Sequence, residues 1–230
     1  MQTKMFNYLN NSLTAWKKAF NDNFFTIKIL LAPGIFLLYS ALTQKLGTYI
    51  EMRKGILFND KLLNFFPQFD FSVQIFILLY SSLFLVIITH LNRPKIIYRI
   101  IEMHLLVAVV RQICILLVAL EPPTGIIVLR DVFLENTVYP HFSPLTKDLF
   151  FSGHVASIWL YFLCAEKKWV KIYLIFSTLL MSFMILSMRV HYTFDIYGAI
   201  IITSIIYYLP SRLRSLSFFK KALSNNTNSK

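Results

Sequence analysis

The chain has 230 residues, of which 57% are hydrophobic, 16% aromatic and only 15% charged, against about 25% charged in soluble domains. That composition excludes an ordinary soluble domain, because too little polar surface remains to cover the apolar side chains, and it points to a membrane protein. The formal net charge of +12 raises nucleic acid as a partner, so the placement of the charges along the chain has to be read before a class is chosen.

In chain order, residues 1–23 come first. Met5, Leu9, Leu13, Trp16 and Phe20 share one helical face, with Lys17 and Lys18 on another. This predicts a helix lying in the membrane interface, or else a plain amphipathic tail. The start lacks the short apolar core and small-residue cleavage site of a removable signal peptide. Long uncharged runs then recur at Ile29–Gln44, Phe71–Thr89, Met103–Val110 continuing past Arg111 to Leu120, Leu149–Ala165, Ile172–Met188 and Ile196–Ser211. A bilayer core takes about 20 apolar residues, so with their flanks these runs predict six spans. Two long loops separate them, residues 45–70 and 121–147, and Pro122 and Pro123 are expected to stop the third helix. Cys114 and Cys164 fall inside spans and define no disulfide framework.

Alternating the spans puts fifteen basic residues on the side of the N-terminus and tail and seven on the other. The first side is therefore cytoplasmic by the positive-inside rule, and the basic excess reads as topology rather than a nucleic-acid patch. The expected fold is all-α: a polytopic membrane protein with six transmembrane helices and both termini cytoplasmic. Its parts are an interfacial segment 1–23, a membrane catalytic domain 24–211 and a basic, polar tail 212–230. The membrane would be a plasma or inner membrane.

The residues that interrupt the apolar runs carry the chemistry. His191 and Asp195 are four apart, a spacing that on a helix brings both side chains to one face. A carboxylate on one imidazole nitrogen fixes the tautomer and raises the basicity of the other, which activates a histidine as nucleophile or base. The competing reading is a structural pair that satisfies two polar groups near the interface. His154 follows Ser152 and Gly153 at the start of the fourth span, on the same side of the membrane. A helix start suits an anion, and glycine there would let a ligand approach the backbone. Arg111 lies nine residues before Leu120, about 14 Å inward. An arginine at that depth costs on the order of 2.5–3.5 kcal/mol and faces a polar interior, so it pairs with a buried acid or reaches an anionic ligand. Arg189 and Lys147 flank the histidines. Arg189 is a candidate for neutralising a phosphate, whereas Lys147 reads better as an interfacial charge that snorkels.

"SGH" at Ser152–His154 followed by "HYTFD" at His191–Asp195 resembles the sphingomyelin synthase branch of the type 2 phosphatidic acid phosphatase superfamily. Asp148 stands in the place of that branch's acid ahead of Ser-Gly-His, and Arg189, His191, Tyr192, Thr193 and Asp195 match its second motif position by position. Arg111 with "LEPP" is similar to its arginine before a Leu-Pro turn, and "LFNDKLLNFFPQFD" is a weaker echo of its first outer loop. The chain departs from the pattern at Thr146, Lys147 and Val155, and Ile185 replaces the lipid phosphatases' second-motif arginine. Substrate identity is what these departures leave open.

The resemblance implies that Asp195 orients His191, which attacks phosphorus, and that His154 protonates the departing oxygen and later deprotonates the acceptor. Arg111, Ser152, Gly153 and Arg189 would hold the phosphate, with Asp148 and Tyr192 auxiliary. It implies no cofactor and no metal. The partners implied are a membrane phospholipid donor and a lipid alcohol, such as ceramide or diacylglycerol, or water as acceptor, with the site at the non-cytoplasmic face. Headgroup transfer and lipid phosphate hydrolysis use the same residues. Two other classes compete: an intramembrane serine protease with Ser152 as nucleophile, and a small transporter carrying substrate on Arg111 and Glu102. A zinc site from His154, His191 and Asp195 has no HExxH spacing or second metal-type cluster to support it.

Overall fold

A computed structural model describes residues 2–131 and 145–208, and in them the regular structure is helical apart from one isolated bridge. The helices are α1 (Gln2–Phe20), α2 (Asn23–Met52), α3 (Ser72–Thr89), α4 (Pro94–Leu117), α5 (Gly153–Cys164), α6 (Lys168–Ser187) and α7 (Thr193–Tyr208), with a 3₁₀ turn at Lys61–Phe65. Four of them, α2, α3, α4 and α6, are long and apolar enough to cross a membrane.

The other two expected spans appear as shorter helices, α5 with 12 residues and α7 with 16. The sequence reading began the fourth span at Leu149, but Leu149–Ser152 are not helical. Their backbone is nevertheless buried among protein atoms, with Leu149, Phe151 and Ser152 almost wholly inaccessible. Irregular backbone at membrane depth is tolerated only under that condition. α5 itself is apolar on nearly every side and packs against α3, α4, α6 and α7. A helix that is hydrophobic all round belongs at the centre of a bundle. The lipid-side faces of the outer helices leave residues such as Leu30, Leu37, Phe84 and Leu179 exposed.

At one end α1 is tied to the α3–α4 connection. The Tyr8 hydroxyl donates to the Ile88 carbonyl at 2.6 Å and the Trp16 indole to that of Leu91 at 2.9 Å. His90 joins the same end, its Nε2 accepting the Glu166 N–H at 3.0 Å. Asp22 starts α2 by accepting the N–H groups of Phe24 and Phe25, the usual service of an N-cap.

The opposite end carries the site, and two helix ends there differ from expectation. α2 runs eight residues past Gln44 to Met52, and its 30 residues make about 45 Å of helix, well beyond a hydrocarbon core of about 30 Å. Its last turn thus delivers Glu51 and Arg53 to the outer loops. α4 ends at Leu117, five residues before Pro122, so the prolines do not stop it. Arg53 does: its guanidinium donates to the carbonyls of Ile115, Leu116 and Val118, the last two at 2.9 and 3.3 Å. Those carbonyls are the unpaired acceptors that any helix end presents. Beyond the cap the chain pairs with the first outer loop, Ile56 donating to Ala119 at 2.9 Å and Glu121 to Ile56 at 3.0 Å. Gly55 makes this possible, since a Cβ there would lie 2.4 Å from the Leu120 carbonyl carbon.

Candidate active site

Because α4 ends early, Arg111 sits six residues from the helix end, about 9 Å, rather than the deeper position the sequence implied. Its guanidinium is held on three edges. Nε donates to the Phe151 carbonyl at 2.6 Å, Nη1 reaches both Asp148 carboxylate oxygens at 3.1 Å, and Nη2 donates to the Asp148 carbonyl at 3.1 Å. A planar fork fixed in this way is a pre-aimed cation rather than a mobile one. The acid that the sequence could not name is therefore the partly buried Asp148. Glu102 pairs elsewhere, 3.8 Å from the Lys28 ammonium and accepting from the Tyr98 hydroxyl.

Gly153 has a different reason from the one anticipated. What approaches it is Arg111: a Cβ at 153 would lie 3.2 Å from Nε and 3.3 Å from Cζ. Ser152 is fully buried and its hydroxyl has no partner among the described residues, while its N–H donates to the Asp195 carbonyl at 3.3 Å. Its side chain does not cap α5. Ser152 is not among the residues that line the cavity holding the two histidines.

His191 and Asp195 meet as expected, Nδ1 to Oδ2 at 3.1 Å, but by another route. His191 precedes α7, which begins at Thr193, so the two do not share a helical face. The chain instead closes a tight turn in which Asp195 Oδ2 also accepts the Tyr192 N–H at 2.9 Å. Asp195 is 0% exposed and its Oδ1 has no partner among the described residues. A carboxylate on Nδ1 leaves Nε2 as the nitrogen available for chemistry. His154, in the first turn of α5, meets the Phe76 ring edge-on at 5.6 Å.

One cavity of about 80 Å³ gathers Arg111, Asp148, His154 and His191. Its remaining lining is largely apolar: Ile126, Val128 and Leu129 from the second outer loop, Leu145, and Val190. Two imidazoles, a fixed guanidinium and an apolar cover in so small a space suit a phosphoryl group attached to a lipid.

Arg189 and Tyr192 are not brought to that cavity. They line a second one of about 180 Å³ with Asn59, Asp60, Asn64 and Thr124. Arg189 adopts φ 54°, and its guanidinium donates to the Thr124 carbonyl at 2.9 Å. The geometry thus separates Arg189 from the phosphate-binding group proposed on sequence. Tyr192 is a buried strut. Its hydroxyl donates to the Glu121 carbonyl at 2.8 Å and accepts the Phe58 N–H at 3.3 Å, and burial pushes the phenol above its ordinary pKa.

Lys147 is not a free interfacial charge. Its ammonium donates to Glu121 Oε1 at 2.9 Å and to the Arg53 carbonyl at 2.8 Å. Hydrogen bonds from Lys147 and from the Gly55 N–H hold the Glu121 carboxyl below its usual range. Glu51 accepts from the Thr146 N–H, the Thr146 hydroxyl and the Lys147 N–H at 2.6, 2.9 and 2.7 Å. It thereby anchors the segment that leads into Asp148. Sequence reasoning missed Glu51, Asp60 and Glu121. Their signal was only that each is an acid in an outer loop or helix end, and their partners lie dozens of residues away. Among the described residues no group of three His, Cys, Asp or Glu side chains is placed to hold a metal ion.

No curated protein matches the chain. The family described as PAP2 superfamily C-terminal matches residues 147–212, a stretch that contains Asp148, Ser152–His154, His191 and Asp195 but not Arg111. Over those residues, under a third of its length, the chain is similar to the PAP2 superfamily, and the two histidines within the match, His154 and His191, are the ones that share a cavity with Arg111.

Proposed function

We propose that the chain is a membrane-embedded lipid phosphotransferase. It moves a phospholipid headgroup phosphate, phosphocholine or phosphoethanolamine, to a lipid alcohol such as ceramide or diacylglycerol through a phosphohistidine. The observation that carries this reading is the shared cavity, in which Asp195-bound His191 faces the same space as His154 and Arg111.

His191 Nε2 attacks phosphorus while the bond from phosphorus to the diacylglycerol oxygen breaks, and His154 delivers the proton that oxygen needs. The acceptor hydroxyl then attacks the phosphohistidine, gives its proton to His154 and releases His191. Arg111 lies beside the equatorial oxygens, where charge neutralisation is the main contribution in phosphoryl transfer. The apolar cover from Ile126, Val128 and Leu129 keeps water scarce around the phosphohistidine and favours a lipid alcohol as acceptor.

Purified protein in lipid nanodiscs, given phosphatidylcholine or phosphatidylethanolamine labelled in the headgroup, is expected to move label onto added ceramide or diacylglycerol faster than into water. Accumulation of only free phosphate or phosphoalcohol at every acceptor concentration establishes the hydrolytic alternative on the same residues.

The charge asymmetry supports a site at the non-cytoplasmic face, and the membrane proposed is a plasma or inner membrane. In a variant lacking Cys114 and Cys164, a cysteine at the exposed Asn64 should react with an impermeant thiol reagent in intact cells or spheroplasts. One at Lys168 should react only after permeabilisation, and the reverse pattern defeats the outward placement.

A further inference from the structure

We propose that Asp60, in the first outer loop, is a positioning residue for the His191–Asp195 pair; this rests on the function proposed above and extends it to a second segment of the chain. Every residue between His191 and Asp195 is held by Phe58 or Asp60. Tyr192 receives the Phe58 N–H on its hydroxyl at 3.3 Å and the Phe58 ring edge-on at 5.6 Å. Phe194 meets the same ring at 5.0 Å. Thr193, midway, donates both its N–H and its hydroxyl to Asp60 Oδ2, each at 2.7 Å, across 133 residues of sequence.

Thr193 opens α7, and its N–H is one of the donors a helix start leaves unpaired. Asp60 supplies the missing acceptor from a distant loop, and its negative charge also suits the positive end of α7. The carboxylate is itself fixed, because Oδ1 accepts the Leu62 N–H at 3.0 Å and starts the 3₁₀ turn. The catalytic turn closes through Tyr192 and Thr193, since Asp195 Oδ2 takes both the Tyr192 N–H and His191 Nδ1. Releasing Thr193 therefore loosens the 3.1 Å contact that sets the His191 tautomer and the direction of Nε2. Asp60 lines the second cavity and not the one holding the histidines, so it acts through Thr193 rather than on substrate.

The test uses the full-length chain in nanodiscs with two readouts: turnover of the headgroup-labelled lipid, and the ¹⁵N signals of His191 in ¹⁵N-histidine-labelled protein, assigned by their loss in His191→Gln. Asp60→Ala is expected to lower kcat by about 10²-fold, the loss that a misplacement of around 1 Å brings. KM should stay within about twofold, as for an interaction expressed only in the transition state. The Nδ1–H signature of the Asp195 hydrogen bond should be lost as well. Asp60→Asn, which keeps an oxygen acceptor for Thr193, should recover part of both. Thr193→Val removes one of the two donors, and a smaller fall in kcat at unchanged KM is expected; it carries the test if Asp60→Ala does not fold. Wild-type kcat in either variant, a loss confined to KM, or an unchanged His191 nitrogen signal in Asp60→Ala overturns the assignment. Should the wild-type protein turn over no lipid phosphoester, the proposed function falls and the nitrogen signal alone decides the role of Asp60.

Discussion

Replacing His191 with alanine is expected to abolish turnover of every substrate, whereas replacing His154 should cost an amount set by the leaving group. The difference follows from the two environments. His191 has its Nδ1 on a fully buried carboxylate, which leaves Nε2 as the proposed nucleophile, and without it the proposed phosphoenzyme would not form. His154 lines the same cavity and is the proposed proton donor. General acid catalysis contributes about 10²–10⁴-fold, so His154→Ala should lose that much with a diacylglycerol leaving group. With a nitrophenyl phosphoester, whose oxygen departs unprotonated, most of that loss should disappear. Asp195→Asn should fall between the two, because the imidazole remains while its tautomer and basicity suffer. Steady-state kinetics of the three variants on the two substrates decide the roles. Equal losses on both substrates for both histidines defeat the assignment, and rescue of His191→Ala by the nitrophenyl ester exchanges the roles.

The contacts that made these roles readable in the sequence were local ones. Ser152–His154 and His191–Asp195 are short motifs, and His191 and Asp195 meet within a turn, so their spacing pointed to a candidate site. Even so, the spacing suggested the wrong local geometry, because Thr193 rather than His191 opens α7. The apolar runs announced the four helices long enough to cross a membrane and two shorter apolar ones, but run length reports hydrophobicity, not where the backbone stops being helical. α4 stops at Leu117 because the Arg53 side chain takes its last carbonyls, and α5 starts at Gly153 because Leu149–Ser152 find burial without a helix. No periodicity encodes either event. Arg189 shows the same limit at a single residue. Its place two before His191 suggested a phosphate ligand, and a positive φ turned it toward Thr124 instead. Pairings such as Arg111 with Asp148, Glu51 with Thr146 and Asp60 with Thr193 span 37, 95 and 133 residues and exist only once the bundle has formed.

Arg111 and Asp148 carry the second large effect, and stability and turnover should part company there. Their side chains are 15% and 31% exposed, so the pair is mostly withdrawn from water. Removing one member of a buried pair strands the other, at a cost of about 3–5 kcal/mol when both are fully enclosed. Solvent reaching Asp148 screens part of this, and about 2 kcal/mol is expected for Asp148→Ala. The thermal midpoint in detergent should fall accordingly, and turnover should fall with it as the guanidinium loses its aim. Replacing both residues together, Arg111→Met with Asp148→Leu, removes the stranded charge, and such apolar replacements of buried pairs are often neutral. The double variant should therefore recover most of the lost thermal midpoint. Turnover should not recover, because a charge-stabilising donor at a reacting centre is worth about 10²–10³ in kcat. Return of activity together with stability would reduce Arg111 to a structural strut, since a group that stabilises the transferring phosphoryl cannot be replaced by a thioether.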